Sequence, residues 1–136
     1  KQGAKEIIVY NRSDKDKIKE IGTNLNCHFK FELFDENKLK DDLQDAYMLI
    51  NTTSVGMKPY DDKCLITSVD TLSSQLKVID IIYNPKETKL LKMAREMNLE
   101  YMNGEAMLLY QGASSFTFWT GLNMPKDKVK KELEME

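Results

Sequence analysis

The spacing of apolar and polar positions changes period along the chain, and each change marks an element. Residues 6–10, Glu-Ile-Ile-Val-Tyr, are a β-branched run that predicts a buried strand. Ser13 then reads as an N-cap, with acidic residues in the first turn of a helix whose stripe is Ile18, Ile21 and Leu25. Residues 28–34 alternate like a strand, and 35–45 are polar with Leu39 and Leu43 at helical spacing. Residues 47–51 and 77–83 predict a third and a fourth strand, the latter closed by Asn84-Pro85. Residues 87–98 are amphipathic, with Leu90, Leu91 and Ala94 inward and Met97 near the end. A short fifth strand at 100–102 precedes a long helix after Asn103-Gly104, and Pro125 opens a last charged helix. Alternating β and α elements predict an α/β fold, a parallel sheet flanked by helices. Neither repeats nor low-complexity segments interrupt it.

Composition narrows the class. At 136 residues, 41% hydrophobic and 31% charged, the chain is one globular domain's worth of protein. A net charge of −2 gives no reason to expect nucleic acid or an anionic membrane as partner. No apolar run approaches the roughly 20 residues of a bilayer span. Cys27 and Cys64 stand alone without metal spacing, which predicts reduced thiols in a cytoplasmic protein and no metal site. The single histidine, His28, has no evident partner carboxylate in the sequence and reads as structural or solvated. Lys1-Gln2-Gly3 is no signal peptide; it resembles a helix tail with its glycine cap, so the chain is expected to be a piece of something longer.

In open parallel sheets, ligands bind beyond the carboxyl ends of the strands, and five clusters sit there. Asn11-Arg12-Ser13-Asp14 offers Arg12 to a 2′-phosphate and Asp14 to a ribose hydroxyl, or is merely a capped helix start. The small polar run 51–54 with Gly56 would let a cofactor approach the backbone, or is an ordinary turn. Asp80 inside an apolar strand must be hydrogen-bonded or neutralised, and a structural acceptor for nearby N–H groups is the preferred reading. Tyr83, at that strand's end, presents a hydroxyl to a ligand or seals the core edge. Gly104 offers bare backbone on which a flat ring could pack, or simply starts a helix. Gln111 is an amide between apolar neighbours, sharing a face with Met107 and Ser114 or Ser115, whereas Phe116 and Trp119 read as packing. No GxGxxG loop and no Lys–Asp, Ser–His or Cys–His pair of catalytic spacing is present, so no catalytic residue is assigned.

Five ordered blocks also carry a resemblance: residues 9–12, 51–59, 80–85 (Asp-Ile-Ile-Tyr-Asn-Pro), 88–91 and 103–121. Together they resemble the C-terminal, nucleotide-binding part of shikimate dehydrogenase, closest to the quinate/shikimate dehydrogenase type. The resemblance implies a Rossmann-like sheet lacking its first strand and Gly-rich loop. Residues 1–102 would be the β/α units and 103–136 the C-terminal helices of one truncated NAD(P)-binding domain. It implies interconversion of 3-dehydroshikimate and shikimate by hydride transfer with NADP(H), in chorismate and aromatic amino-acid biosynthesis, some members also using quinate and NAD. By the same resemblance Asn11 and Arg12 lie on the adenosine phosphate side, and Thr53 and Ser54 line the cofactor. Ile81, Gly104 and Met107 border the nicotinamide; Tyr83 and Gln111 contact the substrate. A carboxamide both donates to and accepts from a vicinal hydroxyl, which suits Gln111 to that contact.

The departures shape the expectations. The family's catalytic Lys and Asp belong to an N-terminal substrate domain, so the chain alone is expected to be inactive and to have that domain as a partner. Lys15-Asp16-Lys17 stands where NADP-specific members often carry a second Arg, and Asp14 resembles the acidic position of dual-cofactor members, which leaves NAD beside NADP. Ala106 replaces a frequent second glycine. An unpaired strand edge and an uncovered helix face predict self-association. The alternatives are a non-catalytic Rossmann-like binding or regulatory module and, less well supported by the Gln111 block, a glutamyl-tRNA reductase-like protein.

Overall fold

Residues 3–13 and 16–135 are described by a computed structural model of the chain. Among the described residues five strands and five α-helices follow in the order β1 (Glu6–Asn11), α1 (Asp16–Thr23), β2 (His28–Leu33), α2 (Glu36–Leu43), β3 (Met48–Asn51), β4 (Lys77–Asp80), α3 (Lys89–Glu96), β5 (Glu100–Met102), α4 (Glu105–Thr120) and α5 (Lys126–Glu132). A short 3-10 helix, Val69–Thr71, lies in the β3–β4 connection. Every strand pairing is parallel, as β-branched strands separated by helices require. The strands form two ladders rather than one sheet, β1–β2 and β3–β4–β5. The chain accordingly gathers into two units, Lys1–Asp42 and Leu43–Glu136.

In the first unit β1 and β2 run in register from Glu6 opposite His28 to Asn11 opposite Leu33. That register supplies the carboxylate His28 lacks in sequence: Glu6 Oε1 is 2.7 Å from His28 Nδ1. The expected stripe of α1 is corrected. Ile21 is 62% exposed, while the neighbouring Gly22 is buried. A Cβ on Gly22 would stand 2.1 Å from Phe29 Cδ1, so α1 meets β2 through the glycine. Leu39 of α2 is buried as its spacing predicts. The proposed cap region of α1 includes Asp14, which lies outside the described residues.

The second unit holds most of the core: Ile66, Leu72, Leu76, Val78, Ile82, Leu90, Leu91, Ala94 and Leu99 are all buried. α3 presents Leu90, Leu91 and Ala94 inward at the expected spacing. Thr88 caps it, its hydroxyl accepting from the Leu91 amide at 3.3 Å. β4 ends at Asp80, three residues earlier than its apolar run suggests. Beyond Asp80 the Ile81 N–H still donates to β3, at Asn51 O, and the Ile82 N–H turns instead to the Asp80 side chain.

α4 departs most from expectation. Of its sixteen residues only Glu105 is buried. Trp119 is 78% and Phe118 86% exposed, so Trp119 is not the packing residue the sequence suggests. Gly121, left-handed at φ 71°, ends the helix. No helix among the described residues is long and apolar enough to cross a membrane.

Candidate functional site

The carboxyl ends of β3 and β4 are joined by a buried polar network. The parallel register sets Asn51 opposite Asp80. Asp80 is fully buried, and its Oδ1 accepts from Asn51 Nδ2 and from the Ile82 amide, each at 3.1 Å. Its Oδ2 accepts from the Thr88 hydroxyl at 2.8 Å. This is the structural acceptor role read from the sequence, with two side chains as donors beside the one backbone amide. Asn51 in turn shapes the loop after β3. Its Oδ1 accepts from the Thr53 amide at 3.0 Å and the Thr53 hydroxyl at 2.8 Å, and its Nδ2 also donates to Val55 O. Thr53 Oγ1 accepts from the Val55 amide. Thr53 and Ser54 are thus held at the exposed crest of a loop whose hydrogen bonds run inward. Gly56 closes it at φ +103°, buried against Thr88, in a conformation that favours glycine.

The start of α4 is fastened to the end of β4. The Gly104 amide donates to Ile82 O at 2.9 Å. A Cβ on Gly104 would lie 1.9 Å from Ile81 O and 2.5 Å from Ile81 C. The glycine is therefore demanded by the chain's own backbone, before any ring packs on it. Asn103 Oδ1 caps the helix by accepting from the Glu105 amide at 3.0 Å, and its Nδ2 donates to Lys86 O. Thr53, Ser54, Ile81, Tyr83 and Gly104 consequently belong to one set of strand ends, linked through Asn51 and Ile82. Tyr83 is half exposed there.

Met107 and Gln111 lie farther along α4 and both are exposed. Gln111 lines a shallow groove of about 460 Å³ with Leu108, Ser115, Phe116, Trp119 and Met124. Seven residues separate Gln111 from Gly104, roughly 10 Å along the axis. Cys64 is a free, half-buried thiol of the same unit, whose pKa burial pushes up.

The remaining candidates belong to the first unit. Asn11 ends β1, its carbonyl accepting from the Phe34 amide and its Oδ1 from the Arg12 amide at 3.0 Å. Arg12 is exposed. Beside them Tyr10 donates its hydroxyl to Asp42, and desolvation followed by that contact raises its pKa well above the usual phenol value. Lys86, Asn103 and Glu105 escaped sequence reasoning. Of these only Asn103, two residues ahead of a helix start, carries a recognisable capping signal.

The chain is similar to known proteins over nearly its whole length. Residues 104–134 match the family described as Shikimate 5'-dehydrogenase C-terminal domain. The chain is 36% identical to a shikimate dehydrogenase (NADP(+)) of Listeria innocua, over 96% of this chain and 47% of that one. It superimposes, at a TM-score of 0.84 and 36% identity, on shikimate 5-dehydrogenase from Listeria monocytogenes in complex with shikimate and NAD, covering 96% of this chain and 48% of that one. Quinate dehydrogenase from Corynebacterium glutamicum in complex with NAD gives a TM-score of 0.78 at 25% identity, over 95% and 46% of the two chains. The chain spans about half the length of the curated relatives it matches. In sequence and in fold, the chain is consistent with a C-terminal fragment of the shikimate dehydrogenase family.

Proposed function

We propose that this chain is the cofactor-binding half of an NADP(H)-dependent shikimate dehydrogenase, cytoplasmic and working in aromatic amino-acid biosynthesis. The observation that carries the reading is the fastening of the β3 loop, the end of β4 and the start of α4 into one set of strand ends. In an open parallel sheet that is where a dinucleotide lies. Residues 1–102 supply the β/α units and 103–136 the C-terminal helices. Thr53 and Ser54 flank the cofactor, Ile81, Gly104 and Met107 border the nicotinamide, and Asn11, Arg12 and Asp14 meet the adenosine ribose and its phosphate. Tyr83 and Gln111 address the substrate.

Held by Thr53, Ser54, Ile81, Gly104 and Met107, a bound nicotinamide cofactor would supply hydride acceptance for the oxidation of shikimate to 3-dehydroshikimate. This chain's residues bind and orient. The Gln111 carboxamide can donate to one substrate hydroxyl and accept from its neighbour. Acid–base work falls to an N-terminal substrate domain, so the chain alone is inactive. NAD and quinate are the alternative cofactor and substrate within the same reading.

A fusion tests it: the N-terminal half of the Listeria innocua enzyme joined to this chain in place of the matched half. Shikimate-dependent NADP reduction at 340 nm is expected from the fusion and not from the chain alone. Gln111→Ala in the fusion should raise the shikimate KM or lower kcat at least tenfold, the effect of roughly 1.4 kcal/mol. Activity unchanged by Gln111→Ala would remove that residue from the site. The exposed Tyr110, Phe118, Trp119 and Leu122 further support self-association of the isolated chain. Light scattering at rising concentration should show a mass above the monomer, and a constant monomer mass would contradict this.

A further inference from the structure

α4 is held almost entirely at its base, and one lysine links that base to the far end of the chain. Among the sixteen residues of α4 only the first, Glu105, is buried. Its carboxylate lies 3.5 Å from Lys86 Nζ, with the Glu105 side chain 9% exposed and the Lys86 side chain 51% exposed. The same ammonium donates to the carbonyl of Glu134, just past the end of α5. Glu134 has φ +50°, a left-handed conformation uncommon for a non-glycine residue, and its amide and that of Met135 turn back to Lys131 and Lys130 carbonyls. The Lys86 backbone carbonyl also accepts from Asn103, the residue that caps α4. One residue of the β4–α3 connection therefore touches the cap, the first turn of α4 and the end of α5.

We infer that Lys86 and Glu105 are a positioning pair that sets the angle at which α4 leaves the sheet, and so the place of Gln111. The inference rests on the proposed substrate role of Gln111 for its functional meaning, not for its geometry. Six residues separate Glu105 from Gln111, about 9 Å along the helix axis. A tilt of about 10° at the base would carry Gln111 through about 1.5 Å, and displacement by about 1 Å can cost a hundredfold in rate. The charge pair acts on that angle at the buried base of α4, beyond which no residue of the helix is buried. Lys86 adds a second restraint: by holding the end of α5 it closes the α4–α5 hairpin against the same connection.

Backbone amide residual dipolar couplings of the chain in solution test this without substrate or cofactor. In the unaltered chain the α4 and α5 couplings should fit the same alignment as β3, β4, β5 and α3. Lys86→Met keeps the aliphatic stem, and Glu105→Gln keeps the shape; in both, α4 should fit only with an axis displaced by about 10° or more, or with uniformly reduced couplings. Lys86→Arg should restore the single alignment. Couplings of α4 unchanged in both variants would overturn the proposal, as would a displacement that Lys86→Arg does not restore. A failed fusion assay with these couplings as expected would sink the enzyme reading and leave the positioning pair intact.

Discussion

Replacing Gly104 with alanine isolates the contact on which the candidate site is built. The added Cβ would meet Ile81 O at 1.9 Å and Ile81 C at 2.5 Å, both backbone atoms. Ordinary contact begins near 3.4 Å, so one of the two segments must shift by more than 1 Å. That shift strains the hydrogen bond from Gly104 N to Ile82 O, now 2.9 Å. Overpacking of this kind costs about 1–3 kcal/mol, and losing the buried bond adds about 0.5–1.5 kcal/mol. The expected destabilisation is roughly 2–4 kcal/mol, and Gly104 should lose its hold on the end of β4. Gly112 is the internal control. It lies within α4 with nothing within 4 Å of a built Cβ, so Gly112→Ala should stabilise by about 0.5–1 kcal/mol through helix propensity. Urea denaturation followed by circular dichroism measures both, as a shift in midpoint at constant slope. Gly104→Ala within 0.5 kcal/mol of the parent, or Gly112→Ala equally damaging, would contradict a close contact at Gly104.

Other outcomes follow from the same contacts. Thr88→Val removes the α3 cap and a donor to the buried Asp80, costing about 2–4 kcal/mol in urea melts, while Thr88→Ser keeps the hydroxyl and costs about 1 kcal/mol; equal costs would contradict the network. The Lys38 ammonium, with Lys30 beside it, holds the Glu32 carboxyl below its usual pKa. That contribution is complete above the unfolded carboxylate value of about 4.3 and is lost as pH falls through the lower folded value. A carbon-detected NMR titration should place Glu32 below that value and Lys38→Met should raise it; no movement would exclude Lys38 as the cause. Cys64, its thiol pKa raised by burial, should react with Ellman's reagent more slowly at neutral pH than a free thiol does; reaction at the free rate would contradict the burial.

What the sequence reveals and what it hides divide along physical lines. Period alone locates the strands and helices, because burial of a sheet face or a helix stripe writes itself locally, as in residues 6–10 and in Leu90, Leu91 and Ala94 of α3. It also marks Asp80 as a carboxyl in need of partners. It does not supply those partners, since the register that faces Asn51 with Asp80, or Glu6 with His28, is a property of pairing between distant segments. The same limit hides Lys86 and Glu105, which read as ordinary surface charges until the chain folds. Trp119 fails for a different reason: an aromatic on a helix predicts packing, but α4 exposes that face. Gly104 is legible as special, but its close approach to the Ile81 backbone is a tertiary fact that the sequence does not show.

We propose that this chain supplies the cofactor half of a shikimate-oxidising enzyme. The most direct test is the fusion with the Listeria innocua N-terminal half, followed at 340 nm with NADP and shikimate. The expected result is reduction of NADP that requires shikimate, falls at least tenfold with Gln111→Ala, and is absent from the chain alone. A fusion that is folded by circular dichroism yet reduces no NADP or NAD with shikimate or quinate would contradict it.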